Sequence, residues 1–383
     1  IPGNALFQNN ATLAGSSNNG GSAGQAAGSD LFMMKGSSVT LTPGTGNTIR
    51  FEGTIADDSA SSYAGASYAS GAGASLQIAG GGLVQLLGQN TYSGITYVGG
   101  GTLEATDGVG LHANSHLTFN GGGTIGNLST ENAGVWLNSG TVVRRVGNLS
   151  HQLSWDGSGG FAAADMNGLV LNFGSLNGAP GQTLTWDQGG FVNAGSTLVF
   201  GSEYAVGAVT LKNAIKLNGQ TGNIAVYDNR AVDTDFAVLA GPITGGNLTV
   251  NDTRYAGTAY FTGQNSLSGL TVNNGLVTTK YGSTIGRLMD ATNGGYLDVA
   301  GGRVALHGAE KMTWATVQSG GELAAFGAVS ADWLGNSGSA AFFADAVVRQ
   351  VYNNAGGTAA FFGSLASNSI INYGEFLLGG NTS

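Results

Sequence analysis

The sequence predicts an all-β solenoid, in which short strands stack on one another to form an elongated rod. Three observations carry this prediction: apolar and polar residues alternate with a period of two, Gly/Asn/Ser clusters separate the alternating runs, and strand-turn-strand units recur along the chain. A unit of two short strands cannot bury its apolar face alone. Repeated units therefore bury their apolar faces against their neighbours.

The composition supports this fold class. The 383 residues include 69 Gly, 42% are hydrophobic and only 9% are charged. Charged residues normally make up about 25% of a chain and cover helix surfaces, so their depletion disfavours a helical bundle. The apolar fraction is high enough for a long core, which disfavours disorder. Because each repeat packs only on its neighbours, we expect one continuous rod rather than several globular domains.

The chain divides into a short lead and a long repetitive part. Residues 1–30 are rich in Gly, Ser and Asn, which predicts a flexible lead or irregular first coils. Alternation recurs from 31 to 383, which predicts one continuous solenoid. A Ser/Ala/Gly-rich run near 57–74 and a charged run near 228–235 predict loop insertions that project from the rod.

The clearest repeat spans Gly80 to Ala105, where two alternating runs flank a polar turn. A diverged copy spans Gly257 to Val277. We predict that the turn residues of both copies have structural roles, so that one coil templates the next. They are Gln89, Asn90, Tyr92 and Gly94 in the first copy, and Gln264, Asn265 and Gly269 in the second.

Part of the first copy, LLGQNTYSGITYVGGGTLEA, contains Gly, Asn-Thr-Tyr, Ser-Gly and Gly-Gly-Thr-Leu in that order. This run resembles the passenger-associated repeat of bacterial autotransporters and related surface proteins. The resemblance implies a right-handed parallel β-helix that is secreted or held at the bacterial outer membrane, and it implies no particular activity. We expect any signal peptide or membrane anchor to lie outside these residues.

Two further repeats predict residues of the core. Leu153-Ser154-Trp155-Asp156 returns as Leu184-Thr185-Trp186-Asp187, and each copy is followed by Gly-Gly-Phe. We expect Trp155 and Trp186 to fill the interior. Near the end of the chain, Ala340-Ala341-Phe342-Phe343 returns as Ala359-Ala360-Phe361-Phe362. Paired Phe residues are expected to stack inside the rod, and Asn353 and Asn372 to form a hydrogen-bonded ladder.

Charge and cysteine content exclude several kinds of partner and chemistry. The net charge is −9, and Arg144-Arg145 is the only adjacent basic pair, so we expect no nucleic-acid partner. The absence of cysteine excludes disulfides, thiolate metal sites and cysteine nucleophiles. We predict no cofactor and no metal.

Motifs for catalysis are weak. Gly121 to Gly126 satisfies the dinucleotide pattern without a following helix, and Gly20 to Gly24 satisfies the nucleophile-elbow pattern without a strand-to-helix turn. The Gly-Asp-Ser-Gly context of serine-protease autotransporters is absent. The four histidines do not form a zinc motif and are expected to be exposed to solvent: His112, His116, His151 and His307.

We therefore expect a non-catalytic extracellular protein that mediates adhesion or cell-cell or surface contact. Its partner would be a cell-surface or host ligand, or other copies of itself. Two loops are predicted to make the contacts, through Tyr63 and Tyr68 in the first and Asp228, Arg230, Asp233 and Asp235 in the second.

Two alternatives stay open. One is a structural protein that self-assembles into extracellular fibres or layers, which the low charge favours. The other is a carbohydrate-active β-helix enzyme, since glycosidic cleavage needs two carboxylates about 5 to 10 Å apart. The carboxylates would come from the 228–235 loop, or from Asp156 and Asp187 on adjacent coils. For the last two, a turn-forming role is the simpler interpretation, because Asp bonds backbone N–H groups in turns.

Overall fold

The fold consists of short β-strands joined by turns. The computed structural model describes residues 1–17, 26–59, 73–176, 181–290 and 295–379. None of these residues is helical, so no described segment is a helix that could cross a membrane.

The strands are numbered in chain order. The first twenty are β1 Ala5–Phe7, β2 Leu31–Met33, β3 Ser38–Leu41, β4 Thr48–Phe51, β5 Ile55–Asp57, β6 Ser75–Ile78, β7 Leu83–Leu86, β8 Thr96–Val98, β9 Thr102–Ala105, β10 Leu117–Phe119, β11 Gly134–Asn138, β12 Gly140–Val142, β13 Leu153–Trp155, β14 Gly159–Ala163, β15 Leu169–Leu171, β16 Leu184–Thr185, β17 Thr197–Phe200, β18 Val209–Leu211, β19 Ile215–Lys216 and β20 Thr221–Val226. The others are β21 Ala237–Leu239, β22 Ile243–Thr244, β23 Asn247–Val250, β24 Thr258–Phe261, β25 Gly269–Val272, β26 Leu276–Thr278, β27 Lys280–Tyr281, β28 Thr284–Ile285, β29 Gly295–Val299, β30 Arg303–Leu306, β31 Glu310–Val317, β32 Glu322–Ala325, β33 Val329–Asn336, β34 Ser339–Phe342, β35 Ala346–Asn353, β36 Thr358–Phe361, β37 Leu365–Ala366, β38 Ser369–Asn372 and β39 Glu375–Leu378.

Three long sheets are formed by successive coils of the chain. Sheet I has 16 strands, from β1 and β4 to β35, β37 and β38. Sheet II has 11 strands, from β12 to β39, and sheet III has the five strands β3, β6, β8, β10 and β13. Neighbouring strands in these sheets are parallel, and the chain leaves a sheet and returns to it one coil later. This is a parallel β-helix, as the sequence predicts. At about 4.8 Å per strand, sheet I is about 70 Å long.

The interior is a series of side-chain columns along the helix axis. One column of sheet I is fully buried, and each member is in register with the next: Ile49, Val84, Leu103, Trp136, Phe161, Phe200 and Val226. Such columns explain the period of two, because every second side chain of a strand points inward.

The repeated Gln-Asn turns connect three successive coils. Asn90 is buried, accepts a hydrogen bond from the Ile55 N–H at 2.7 Å and donates to the Gly110 carbonyl at 2.7 Å. Asn265 is also buried. It accepts a hydrogen bond from the Ile243 N–H at 2.8 Å and donates one to the Arg287 carbonyl at 2.7 Å. These contacts confirm that both asparagines are turn and packing residues.

The other residues of this repeat also have structural contacts. Gln89 and Gln264 donate to the carbonyls of the next coil, and buried Tyr92 bonds Thr96 at 2.9 Å. A Cβ on Gly94 would overlap the Ala74 carbonyl, and one on Gly269 would overlap the Tyr296 ring. Gly94 is therefore required by close packing against the backbone, whereas a side chain at position 269 would displace the Tyr296 ring.

The two copies of this repeat nevertheless lie on different sides of the β-helix. The turn at Gln89 leads to β8 in sheet III, whereas the turn at Gln264 leads to β25 in sheet I. The repeat therefore determines the local turn between two strands. It does not determine which sheet of the β-helix the second strand joins.

The C-terminal Phe pairs are split between the two faces of sheet II. Phe342 and Phe361 are buried and stacked, with ring centroids 4.7 Å apart. This confirms the expected interior stacking for that pair of equivalent positions. Phe343 and Phe362 are exposed, so the expectation is wrong for them. Adjacent residues of a strand point to opposite faces, and only one of two neighbours can face the core.

The predicted asparagine ladder is confirmed and is one rung longer than expected. Asn336 donates to the Asn353 Oδ1 at 2.7 Å, and Asn353 donates to the Asn372 Oδ1 at 2.7 Å.

The Trp repeat gives two buried side chains in different surroundings. Trp155 and Trp186 are both in the core, as expected. Gly159 and Gly160 lie in β14, whereas Gly189 and Gly190 form a turn with φ values of 63° and 85°. The same Gly-Gly-Phe sequence is therefore extended in one copy and left-handed in the other.

Stacking begins before the alternating part of the sequence. Strand β1 is in register with β4, and Phe7 stacks on Phe51 with ring centroids 4.4 Å apart. The beginning of the first insertion is also ordered: Asp57 is buried and accepts hydrogen bonds from the N–H groups of Ala74 and Ser93. Residues 60–72 of that insertion lie outside the described residues.

The carboxyl group of Glu310 is buried at the start of β31. It accepts hydrogen bonds from the N–H groups of Leu288 and Met289, at 3.0 and 2.8 Å. Burial raises the pKa of Glu310 to about 7, and these two donors offset part of the effect. Glu310 thus holds the preceding coil in place with a carboxyl that titrates near neutral pH.

The Glu310→Gln variant is expected to have a weaker pH dependence of stability. The folded chain binds the Glu310 proton more tightly than the unfolded chain, whose Glu pKa is about 4.3. Tighter binding of this proton stabilises the folded chain fully below pH ~4.3, and the stabilisation is lost as the pH rises through about 7. Between these limits the unfolding free energy of the native chain should fall by about 3 kcal/mol more than that of the variant. Urea unfolding from pH 4.5 to 7.5 measures the difference. Exposed Glu322→Gln is the control, and equal pH slopes for native chain and Glu310→Gln would contradict the assignment.

Candidate contact surfaces

The predicted 228–235 loop connects β20 and β21 and is partly structural. Asp228, Arg230 and Asp233 are exposed, while Asp235 is buried and accepts a hydrogen bond from the Asn229 N–H at 2.5 Å. Burial raises the pKa of Asp235 to about 6. Asp235 therefore closes the loop and is not free for contacts, which corrects its assignment as a contact residue.

The same loop borders a shallow hollow of about 370 Å³ with Arg254 on its other side. No group of three or more His, Asp or Glu able to hold a metal occurs among the described residues. Tyr63 and Tyr68, the contact residues predicted for the first insertion, lie outside the described residues, as does the Gly20 to Gly24 motif.

A polar groove of about 430 Å³ lies on the outer face of sheet III. Its floor is a row of side chains in register on β8, β10 and β13: Tyr97, Thr118 and Ser154. Their neighbours in each strand are buried in the core, so these three point away from the core. Tyr97 is half-buried, whereas Thr118 and Ser154 are buried beneath the surface of the groove. One wall is the segment 93–95 and the other is the turn 148–150.

His116 lies beneath this groove and is buried, so its expected exposure to solvent is wrong. Its Nδ1 lies 2.7 Å from the Leu149 carbonyl oxygen, which can only accept, so Nδ1 carries the proton. Nε2 then accepts from the Ser154 hydroxyl at 2.9 Å. Burial lowers the pKa of His116, chiefly by desolvation, and the ring is neutral at pH 7. The turn 148–150 buries this ring, and alternation along β10 does not reveal that contact.

Strands β11, β14, β17 and β20 of sheet I are covered on their outer face by the segment 121–133. Leu128 and Ala133 pack on outward apolar residues of four strands and on Tyr255, in a second, smaller core. The Gly126 N–H donates to Asp252 at 3.1 Å, and Arg254 donates to the Leu128 carbonyl at 3.1 Å. The dinucleotide-like Gly121 to Gly126 is therefore the start of this covering segment.

The C-terminal half of sheet II carries an apolar face that no described segment covers. Its five strands β30, β32, β34, β36 and β39 are in register, and their outward side chains form three rows. The first row is polar: Arg303, Glu322, Ser339, Thr358 and Glu375. The second is small, with Ala305, Ala324, Ala341 and Ala360 followed by Leu377, and the third is aromatic, with His307, Phe326, Phe343 and Phe362. We call these three rows the ladder face.

The aromatic row is continuously stacked. Ring centroids are 4.7 Å apart for His307 and Phe326, 4.9 Å for Phe326 and Phe343, and 5.2 Å for Phe343 and Phe362. Phe326, Phe343 and Phe362 are 47%, 48% and 51% exposed. Stacking fixes the rings without burying them, so they form a rigid ridge beside the alanine row.

The two carboxylates considered for sugar cleavage do not share a site. Asp156 is exposed and lines the groove on sheet III, whereas Asp187 does not line it. Asp187 accepts a hydrogen bond from the Ala194 N–H at 2.9 Å and has a φ of 60°. Asp187 is a turn residue.

Comparison with known proteins gives no relative: no family model, no curated protein and no solved structure matches the chain. Functional conclusions therefore depend on the surfaces themselves. The sequence reasoning missed both the groove and the ladder face. Outward polar residues at Thr118 and Ser154, and the second Phe of each pair, were the available signals.

Proposed function

We propose that the chain is a non-catalytic β-helical protein of the bacterial surface or extracellular space, and that it mediates adhesion by binding a second copy of itself through the ladder face. The resemblance of residues 86–105 to the autotransporter repeat supports the location. The main support for a contact through this face is the continuous exposed row of Phe326, Phe343 and Phe362. Protein surfaces in water rarely expose aligned large apolar side chains unless they bind a partner.

A second copy is favoured over an unrelated partner because the polar row is self-complementary. A two-fold arrangement with the helices antiparallel reverses the order of the rungs about the central rung of Ser339. The first rung of one copy then faces the fifth rung of the other. This places Arg303 of each copy against Glu375 of its partner, so that opposite charges meet twice.

The size of the ladder face predicts weak individual contacts. Five rungs at about 4.8 Å and three rows cover a few hundred Å² at most, compared with about 800 Å² per partner in stable complexes. Weak contacts of this kind suit adhesion, because many copies on two facing surfaces bind with high avidity.

The Phe343→Ser variant is expected to lose this association. Removing the central ring interrupts the aromatic ridge, and self-association should weaken by about ten-fold or more. Clustering of beads coated with the chain measures it, because multivalent display detects weak contacts. Exposed Trp314→Ser on sheet I is the control and should cluster normally.

The charge pairing has its own test. Arg303→Glu should reduce bead clustering, and the double variant Arg303→Glu with Glu375→Arg should restore it. Native beads that never cluster would contradict the homotypic contact. If Arg303→Glu and the double variant both cluster as strongly as the native chain, the antiparallel arrangement is contradicted.

A further inference from the structure

The groove on sheet III is built more rigidly than a surface hollow between loops. Its floor is made by strands in register, and neutral His116 holds both the Ser154 hydroxyl and the Leu149 carbonyl. Ser154 also lies 3.2 Å from the Thr118 hydroxyl. The floor is therefore a fixed set of hydroxyl groups beside the half-buried ring of Tyr97.

Both walls are fixed by buried polar groups. On one side the Asp57 carboxylate accepts the N–H groups of Ala74 and Ser93 at 3.0 and 2.9 Å. On the other side Gln152 accepts the Leu149 N–H at 3.0 Å, which holds the turn 148–150. A site that is already ordered loses little conformational entropy when a ligand binds.

The charge of the groove restricts the ligand. No Lys or Arg occurs among its described lining residues, and the lowered pKa of His116 leaves that ring uncharged at pH 7. Within the part of the chain that the structure describes, Asp156 at the rim is the one carboxylate that lines it. An anionic ligand would meet no cation and would be repelled by Asp156. A ligand with many hydroxyl groups would find acceptors and donors on several sides.

We propose that this groove binds a neutral saccharide, with one sugar ring against Tyr97 and its hydroxyls on Asp156 and Asn148, above the buried Thr118 and Ser154. Its volume of about 430 Å³ is within the range of about 300 to 1,000 Å³ that is usual for small-ligand sites. Aromatic rings carry an apolar face suited to the C–H face of a sugar, and carboxylates and amides orient its hydroxyls. The described lining residues include one carboxylate and not the pair that glycosidic cleavage uses, so the proposal is for binding without cleavage.

The test uses the whole chain on an array of neutral, sialylated and sulfated oligosaccharides, followed by calorimetry with the best neutral binder. Neutral saccharides should bind, and Tyr97→Ala should weaken binding by about ten-fold or more. Asp156→Asn, which keeps the shape of the side chain, should also weaken it. Exposed Tyr281→Ala and Asp332→Asn are the matched controls and should leave affinity unchanged.

Three results would overturn the proposal: no binding to any neutral saccharide, preference for sialylated or sulfated ones, or binding that neither groove variant changes. Thermal unfolding of Tyr97→Ala checks that this variant folds. If Tyr97→Ala does not fold, the affinity of Asp156→Asn for the saccharide tests the groove independently. The groove and the ladder face are tested separately. Phe343→Ser should keep saccharide binding, and Tyr97→Ala should keep bead clustering.

Discussion

Replacing Trp155 with alanine is expected to lower the unfolding free energy by about 3 to 5 kcal/mol, the largest effect of any single substitution considered. The indole is buried and lies among Phe119, Phe161 and Phe191, with ring centroids 5.2, 5.9 and 5.2 Å away. Its Nε1–H donates to the Gly159 carbonyl at 3.0 Å. Alanine leaves a large cavity and an unpaired carbonyl, and rings belonging to several coils cannot collapse together to fill it.

Urea unfolding followed by circular dichroism measures this loss. Trp314→Ala is the matched control, because that indole is 45% exposed and should cost under about 1 kcal/mol. Coils of a solenoid interact with their nearest neighbours, so hydrogen exchange should increase first in strands β10, β13 and β14. A Trp155→Ala chain with the native midpoint would show that this aromatic cluster does not determine stability.

The coil-by-coil architecture could be predicted because it depends on local alternation. Strands β34 and β36 follow from the repeated Ala-Ala-Phe-Phe, and the stacking of Phe342 on Phe361 follows from their equivalent positions. The roles of Asn90 and Asn265 were also predictable, since a buried amide in a repeated turn has neighbouring coils to bond.

Features that join distant segments were not predictable from alternation. The segment 121–133 covers sheet I through a hydrogen bond between Gly126 and Asp252, a pair far apart in the sequence. The side of the helix on which each Gln-Asn corner lies depends on how earlier coils bend. Likewise, Gly189 and Gly190 have positive φ whereas Gly159 and Gly160 lie in a strand, because the surrounding coils differ.

The candidate surfaces were predictable only in part, for a related reason. Contact residues were sought in polar loops, and this approach identified Asp228, Arg230 and Asp233, which are exposed, together with Asp235, which is buried. The ladder face lies on regular strands instead. A parallel β-helix has an outer face on every sheet, and equivalent positions of successive coils lie side by side on it. Rows of like residues are therefore the feature to look for in such sequences.

The second large effect is expected for Asn353→Ala, at about 2 to 4 kcal/mol of unfolding free energy. The buried amide donates its two N–H groups to the Glu375 carbonyl at 2.8 Å and to the Asn372 Oδ1 at 2.7 Å. It also accepts from Asn336 at 2.7 Å. Alanine has no polar atom to replace these, and the buried Asn336 N–H that loses its acceptor costs about 1 to 3 kcal/mol.

The ladder itself supplies the control for this prediction. Asn372 continues the same row but is exposed, so water replaces its lost hydrogen bonds and Asn372→Ala should cost under about 1 kcal/mol. Thermal and urea unfolding of both variants measure the contrast. If both substitutions lower the unfolding free energy equally, hydrogen bonding along the buried row does not stabilise these coils. The stabilisation would then come from packing, such as the stacking of Phe342 on Phe361. A large gap between the two variants would instead show that the amide row joins the C-terminal coils.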